Sequence, residues 1–89
     1  MIRQFESKQE ECLVILMEEC GELIQECCKM MRKNNFTSEA FENEVGDVIA
    51  LLQLAHKYGL YDETKAVKRA SVKIDKLKKW SNLMETSRC

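Results

Sequence analysis

Proline is absent from the 89 residues, and glycine occurs only three times. With so few chain breakers, long helices are favoured over a turn-dense fold. The polar–apolar alternation of a half-buried strand is missing throughout. No apolar run approaches the roughly 18 residues of a membrane helix, and the N-terminus reads as no secretory leader. The five cysteines, Cys12, Cys20, Cys27, Cys28 and Cys89, include no Cys-x-x-Cys pair, which argues against a thiol-metal or dithiol redox centre. They are expected to be free thiols suited to a reducing cytoplasm, with Cys20 and Cys27 packed as small hydrophobes. Histidine occurs once, at His56. No glycine-rich phosphate loop and no nucleophile–base arrangement is present. The net charge of −1 argues against a binder of nucleic-acid polymers.

What is there is a single domain, 1–89, of all-α class. Three main antiparallel helices are expected. Ile2 and Phe5 lead in and are available to dock on the core. Ser7-Lys8-Gln9-Glu10 has the capping-box pattern, so the first helix runs from about Lys8 to Arg32. Lys33-Asn34-Asn35-Phe36-Thr37 reads as a turn. Ser38 or Thr37 caps a second helix that runs to about Tyr58, where Gly59 fits a left-handed stop. Asp62 caps a third helix, expected to reach Met84 and to pack beside the second, with a frayed tail from Glu85. Its apolar stripe is Ala66, Val67, Ala70, Ile74, Leu77 and Met84. A chain this short covers little apolar surface by itself. A homodimer or homotetramer is therefore expected, completing a four-helix-bundle-type core around Leu16, Leu23, Val48 and Leu52.

The acids are the informative feature. Glu18-Glu19-Cys20-Gly21-Glu22 interrupts an apolar run, and Glu44-Val45-Gly46-Asp47 leads into another. Acids three apart share one side of a helix. On a wheel of about 100° per residue, Leu13, Leu16, Cys20, Leu23, Cys27 and Met31 form one stripe, with Glu19 at its edge. Phe41, Val45, Val48, Leu52 and Ala55 form the second, with Glu44 at its margin and Asp47 further round. Solvated flank charges are the plain reading of any one of these acids. Two spaced pairs on antiparallel helices instead converge, and converging carboxylates suit a hard cation, Mg2+ or Mn2+. Gly21, beside the acids, reads as room for a close approach, with simple tolerance of a weak helix former as the alternative.

Glu-Glu-x-x-Glu followed by Glu-x-x-Asp resembles the signature of the MazG-like all-α nucleoside triphosphate pyrophosphohydrolases, over roughly Glu11 to Trp80. Gly46-Asp47-Val48-Ile49 and Tyr58-Gly59-Leu60 are similar to that family's second core helix and its exit. The resemblance implies that Glu19, Glu22, Glu44 and Asp47 hold Mg2+, with Glu18 supporting the substrate site or engaging a second metal. It implies Mg2+-dependent hydrolysis of a nucleoside or deoxynucleoside triphosphate to the monophosphate and pyrophosphate. Glu22 or Glu19 would orient or deprotonate the attacking water. It also implies a phosphate contact by a lysine of the third helix, which Lys73 matches by position, although Ser71 stands where that family commonly has asparagine. Lys76 is a further substrate-binding candidate, and Trp80 closes the pocket, stacks on a base or simply packs. The residues alone leave open which phosphorus is attacked. Two alternatives stand beside this reading: a phosphoribosyl-ATP pyrophosphohydrolase-like activity, and a non-catalytic helical module binding nucleotide or protein.

Overall fold

The computed structural model describes residues 7–84, with side chains to 83. The expectations for Ile2, Phe5, the Met84 side chain, the tail from Glu85 and Cys89 fall outside the described residues. Regular structure within them is entirely helical: α1 (Lys8–Lys33), α2 (Glu39–Lys57), α3 (Glu63–Trp80) and one 3-10 turn (Asn82–Met84). No described helix is long and apolar enough to cross a membrane.

Each helix starts and stops for a local reason. Ser7 is extended and its hydroxyl accepts the Glu10 N–H at 3.0 Å, satisfying a donor that the first turn leaves free. Acids at Glu10 and Glu11 and bases at Arg32 and Lys33 complement the helix dipole. α1 stops at Asn34, which adopts φ 51. There the Asn34 N–H reaches Met31 O at 3.3 Å and the Asn35 N–H reaches Met30 O at 3.1 Å, a paired closure of the last turn. Asparagine is one of the few residues that tolerate this backbone. Of the two candidate caps of α2, Ser38 is the one used, accepting the Phe41 N–H at 3.1 Å. α2 stops at Gly59 (φ 77), with the Leu60 N–H closing on Ala55 O at 2.9 Å.

α1 and α2 form an antiparallel hairpin. Gln9 Nε2 donates to Tyr58 O at 2.7 Å, the Cys12 thiol lies 3.8 Å from Leu51 O, and Glu19 meets Glu44 and Asp47. Cys12 and Ala55 are the buried apolar residues among those described. The radius of gyration is 16.5 Å, against about 12 Å for a compact domain of this length.

Four expectations need correction. The third helix ends at Trp80, because Ser81 turns extended and its hydroxyl takes the Leu83 N–H at 3.1 Å, a local alternative to helix. α3 packs along neither α1 nor α2. The link is held against α2 instead, with the Tyr61 hydroxyl donating to Leu52 O at 3.0 Å and the His56 and Tyr61 rings tilted together. Gly21 is not a point of close approach within the chain, since a Cβ there would meet nothing within 4 Å.

The fourth correction concerns which face of α1 meets α2. Leu13, Cys20, Cys27 and Met31 of the expected stripe are exposed, whereas Cys12 is buried and Glu19 faces α2. The seam is therefore rotated from the apolar stripe by roughly 80°, counting about 100° per residue. Left open is a second row, Leu13, Met17, Cys20, Ile24, Cys27 and Met31, all exposed. Its alternating spacing of four and three is that of a helix–helix seam. Leu52 and Ile49 of α2 are also exposed, and the wheel puts them on the same side of the hairpin.

Candidate metal centre

Rotation of the seam places Glu19 and Glu44 within it rather than at its margin. Glu19, Glu44 and Asp47 each offer a carboxylate oxygen within 4.8 Å of the others. Glu19 and Glu44 are half-buried and Asp47 is exposed. Glu22, one turn after Glu18 and itself exposed, stands near enough to Glu44 to raise the Glu44 carboxyl by its charge and by a side-chain hydrogen bond. Three of the four acids expected to converge, Glu19, Glu44 and Asp47, thus lie together, one from α1 and two from α2, and Glu22 stands beside them. Glu18 is exposed and acts on the group only as a like charge upon Glu19.

The electrostatics are those of an uncompensated cluster. Desolvation first, then the charges of Asp47, Glu22 and Glu18, raise the Glu19 carboxyl above its ordinary range. Desolvation first, then Glu22, Glu19 and Asp47, raise the Glu44 carboxyl. Among the described residues, no lysine or arginine acts on either carboxyl. Glu26, one turn beyond Glu22 on α1, differs: Lys29 Nζ sits 3.1 Å from it. Buried acids are ordinarily paired in this way.

One atom stands out. Glu44 Oε2 is buried and has no hydrogen-bond partner among the described residues. Buried polar atoms are nearly always satisfied, so such an orphan points to an unseen ligand. The donor set is purely carboxylate, the chemistry of Mg2+, Ca2+ and Mn2+ sites. A span of 4.8 Å is close to the width of a small divalent cation's oxygen shell, roughly 4–5 Å from bonds of about 2.1–2.5 Å. The residues present therefore fit a hard divalent cation.

The basic candidates lie elsewhere in the chain. Lys73, Lys76 and Trp80 sit on α3, which does not pack on the hairpin that carries the acids. Lys73 Nζ lies 5.7 Å from the centre of the exposed Trp80 ring, so these two candidates neighbour each other. Sequence reasoning also missed a hollow beside the acids. Cys12 and Ile15 of α1, with Leu51, Leu54 and Tyr58 at the end of α2, line a cavity of about 230 Å³ whose rim carries Lys8 and Glu11. Its lining residues read in sequence as ordinary helix-face hydrophobes, and no residue type singled them out. No family model, curated protein or solved structure matches the chain.

Proposed function

We propose that this chain is a Mg2+-dependent nucleoside triphosphate pyrophosphohydrolase, releasing pyrophosphate and a nucleoside or deoxynucleoside monophosphate. The observation that carries it is the buried, unpartnered Glu44 Oε2 inside a cluster of carboxylates from two helices. Acids held together without a counter-cation cost folding free energy, and a chain gains from that arrangement only if a cation is part of its function. The motif resemblance supplies the reaction class.

Glu19, Glu22, Glu44 and Asp47 would hold Mg2+, or Mn2+ in its place. Such an ion neutralises phosphate oxygens and lowers the pKa of water. The carboxylates' own part is to hold such an ion where the phosphate chain can reach it and to take a proton. Glu22 or Glu19 is the group that orients the attacking water or receives its proton. Glu18 supports the site from outside. Lys73, with Lys76 as a second candidate, supplies positive charge for phosphate oxygens, and Trp80 flanks Lys73.

The assembly is a homodimer or homotetramer. The open row on α1, together with Leu52 and Ile49, offers the apolar face on which a second hairpin completes a four-helix core. The free thiols of Cys12, Cys20, Cys27 and Cys28 suit a reducing cytoplasm. The test is product analysis. A panel of ribo- and deoxyribonucleoside triphosphates with Mg2+ should release pyrophosphate and not orthophosphate. Orthophosphate alone, or no product from any of them, overturns the reading. The latter result favours a silent binding module.

A further inference from the structure

We propose that the hollow lined by Cys12, Ile15, Leu51, Leu54 and Tyr58 seats the base of the triphosphate whose phosphates are held at the carboxylates. This rests on the hydrolase reading above.

Position comes first. Ile15 lies one turn before Glu19 on α1, and Leu51 lies one turn after Asp47 on α2. The near wall of the hollow therefore begins about 6 Å along the seam from the acids, at 1.5 Å per residue. Both features open on one side of the hairpin. On a wheel of about 100° per residue, Glu22 and Ile15 fall to the same side of the seam on α1, as Asp47, Leu51 and Leu54 do on α2. The open apolar row lies on the opposite side. A second copy docked there would leave the acids and the hollow accessible together.

Chemistry comes second. The walls are aliphatic at Ile15, Leu51 and Leu54, with one aromatic side chain at Tyr58. The Cys12 thiol is engaged with Leu51 O at 3.8 Å, so the floor offers little to a charged or strongly polar group. A phosphate or sulfate would meet only the Lys8 ammonium and the Tyr58 hydroxyl as strong side-chain donors, with the Glu11 carboxylate opposing it. The rim carries an ammonium at Lys8 and a carboxylate at Glu11, a donor and an acceptor side by side. A flat body with apolar faces and a polar edge matches this arrangement, and a nucleobase is such a body. The ribose then spans the stretch between Ile15 and Glu19. Small-ligand sites have this general make-up, apolar walls with a few fixed polar groups.

The experiment uses the full chain with methyl-labelled isoleucine and leucine. The ligand is a triphosphate analogue whose α–β bridge is a methylene, added with Mg2+. Seating of the base should move the Ile15, Leu51 and Leu54 methyl signals upfield by ring current. Tripolyphosphate with Mg2+ should move the Gly21 and Gly46 amides beside the acids and leave those methyls in place. The Leu54→Trp variant, which fills the hollow from its half-open side, should raise the nucleotide KM at least tenfold with Mn2+ affinity unchanged. Binding of the analogue that moves the glycine amides but not the three methyls overturns the proposal. So does an unchanged KM in Leu54→Trp. Failure of the analogue to bind at all, in a protein that still takes up Mn2+, removes the hydrolase reading and this proposal with it.

Discussion

Replacing Ile24 with lysine separates a lone hairpin from an assembled one. Ile24 is 63% exposed in the single chain, in the middle of the open row on α1. In a monomer the new ammonium would stand in water. Lysine is at least as good a helix former as isoleucine, so the fold should change by no more than about 0.5 kcal/mol. In a bundle built on that row, the remaining isoleucine surface is buried. Full burial of such a side chain is worth about 1.5–3 kcal/mol, so the exposed share amounts to about 1–2 kcal/mol per chain. A two-fold interface counts it twice, about 2–4 kcal/mol, or roughly 30- to several-hundred-fold in the dissociation constant. Desolvation of the ammonium adds to that loss. Sedimentation velocity over a concentration series, with helicity followed by circular dichroism, reads both effects. Wild type should be dimeric or tetrameric at micromolar concentration, and Ile24→Lys should dissociate or lose helicity on dilution. A compact 10.4 kDa wild-type monomer, or an Ile24→Lys variant that assembles like wild type, refutes the reasoning.

The pH dependence of stability follows from the raised Glu19 and Glu44 carboxyls. The folded chain holds protons there that the unfolded chain releases near pH 4.5, so metal-free stability should fall as pH rises from that value through the folded pKa values. Mg2+ should oppose the fall. The gap between Tm with Mg2+ and Tm with EDTA should therefore widen with pH, and a gap that narrows contradicts it. On α3, Lys73→Ala should lower kcat/KM by about 1–3 kcal/mol, the range for losing a charge-assisted hydrogen bond. Lys68→Ala and Lys79→Ala at equal ionic strength should change little. Equal small effects from all three remove Lys73 from the site.

The helices and their punctuation were legible because local chemistry sets them. Ser7, Ser38, Gly59 and Asp62 act as a cap or stop where their residue types suggest. The acids were legible because spacing of three on two antiparallel helices leaves few arrangements. The packing face of α1 was not. This helix carries two apolar rows, one shared with the acids and one open, and a periodicity count merges them into a single stripe. Exposed Cys20 and Cys27 beside buried Cys12 are the result. The direction of α3 was hidden for another reason. It depends on the Tyr61 hydroxyl finding Leu52 O, a contact that short-range patterns do not encode. The hollow was invisible because Ile15, Leu51 and Leu54 differ from core residues only in having space beside them.

Calorimetric titration of Mn2+ into the wild-type protein, Glu44→Gln, Asp47→Asn and Glu26→Gln tests the metal centre most directly. Glu26 is half-buried on the same side of α1 but paired with Lys29, so its variant serves as the control for a carboxylate outside the cluster. Wild type and Glu26→Gln should bind Mn2+ with equal affinity, and Glu44→Gln and Asp47→Asn should each lose at least tenfold while keeping their helicity. Unchanged Mn2+ affinity in both of those variants would contradict a shared metal site.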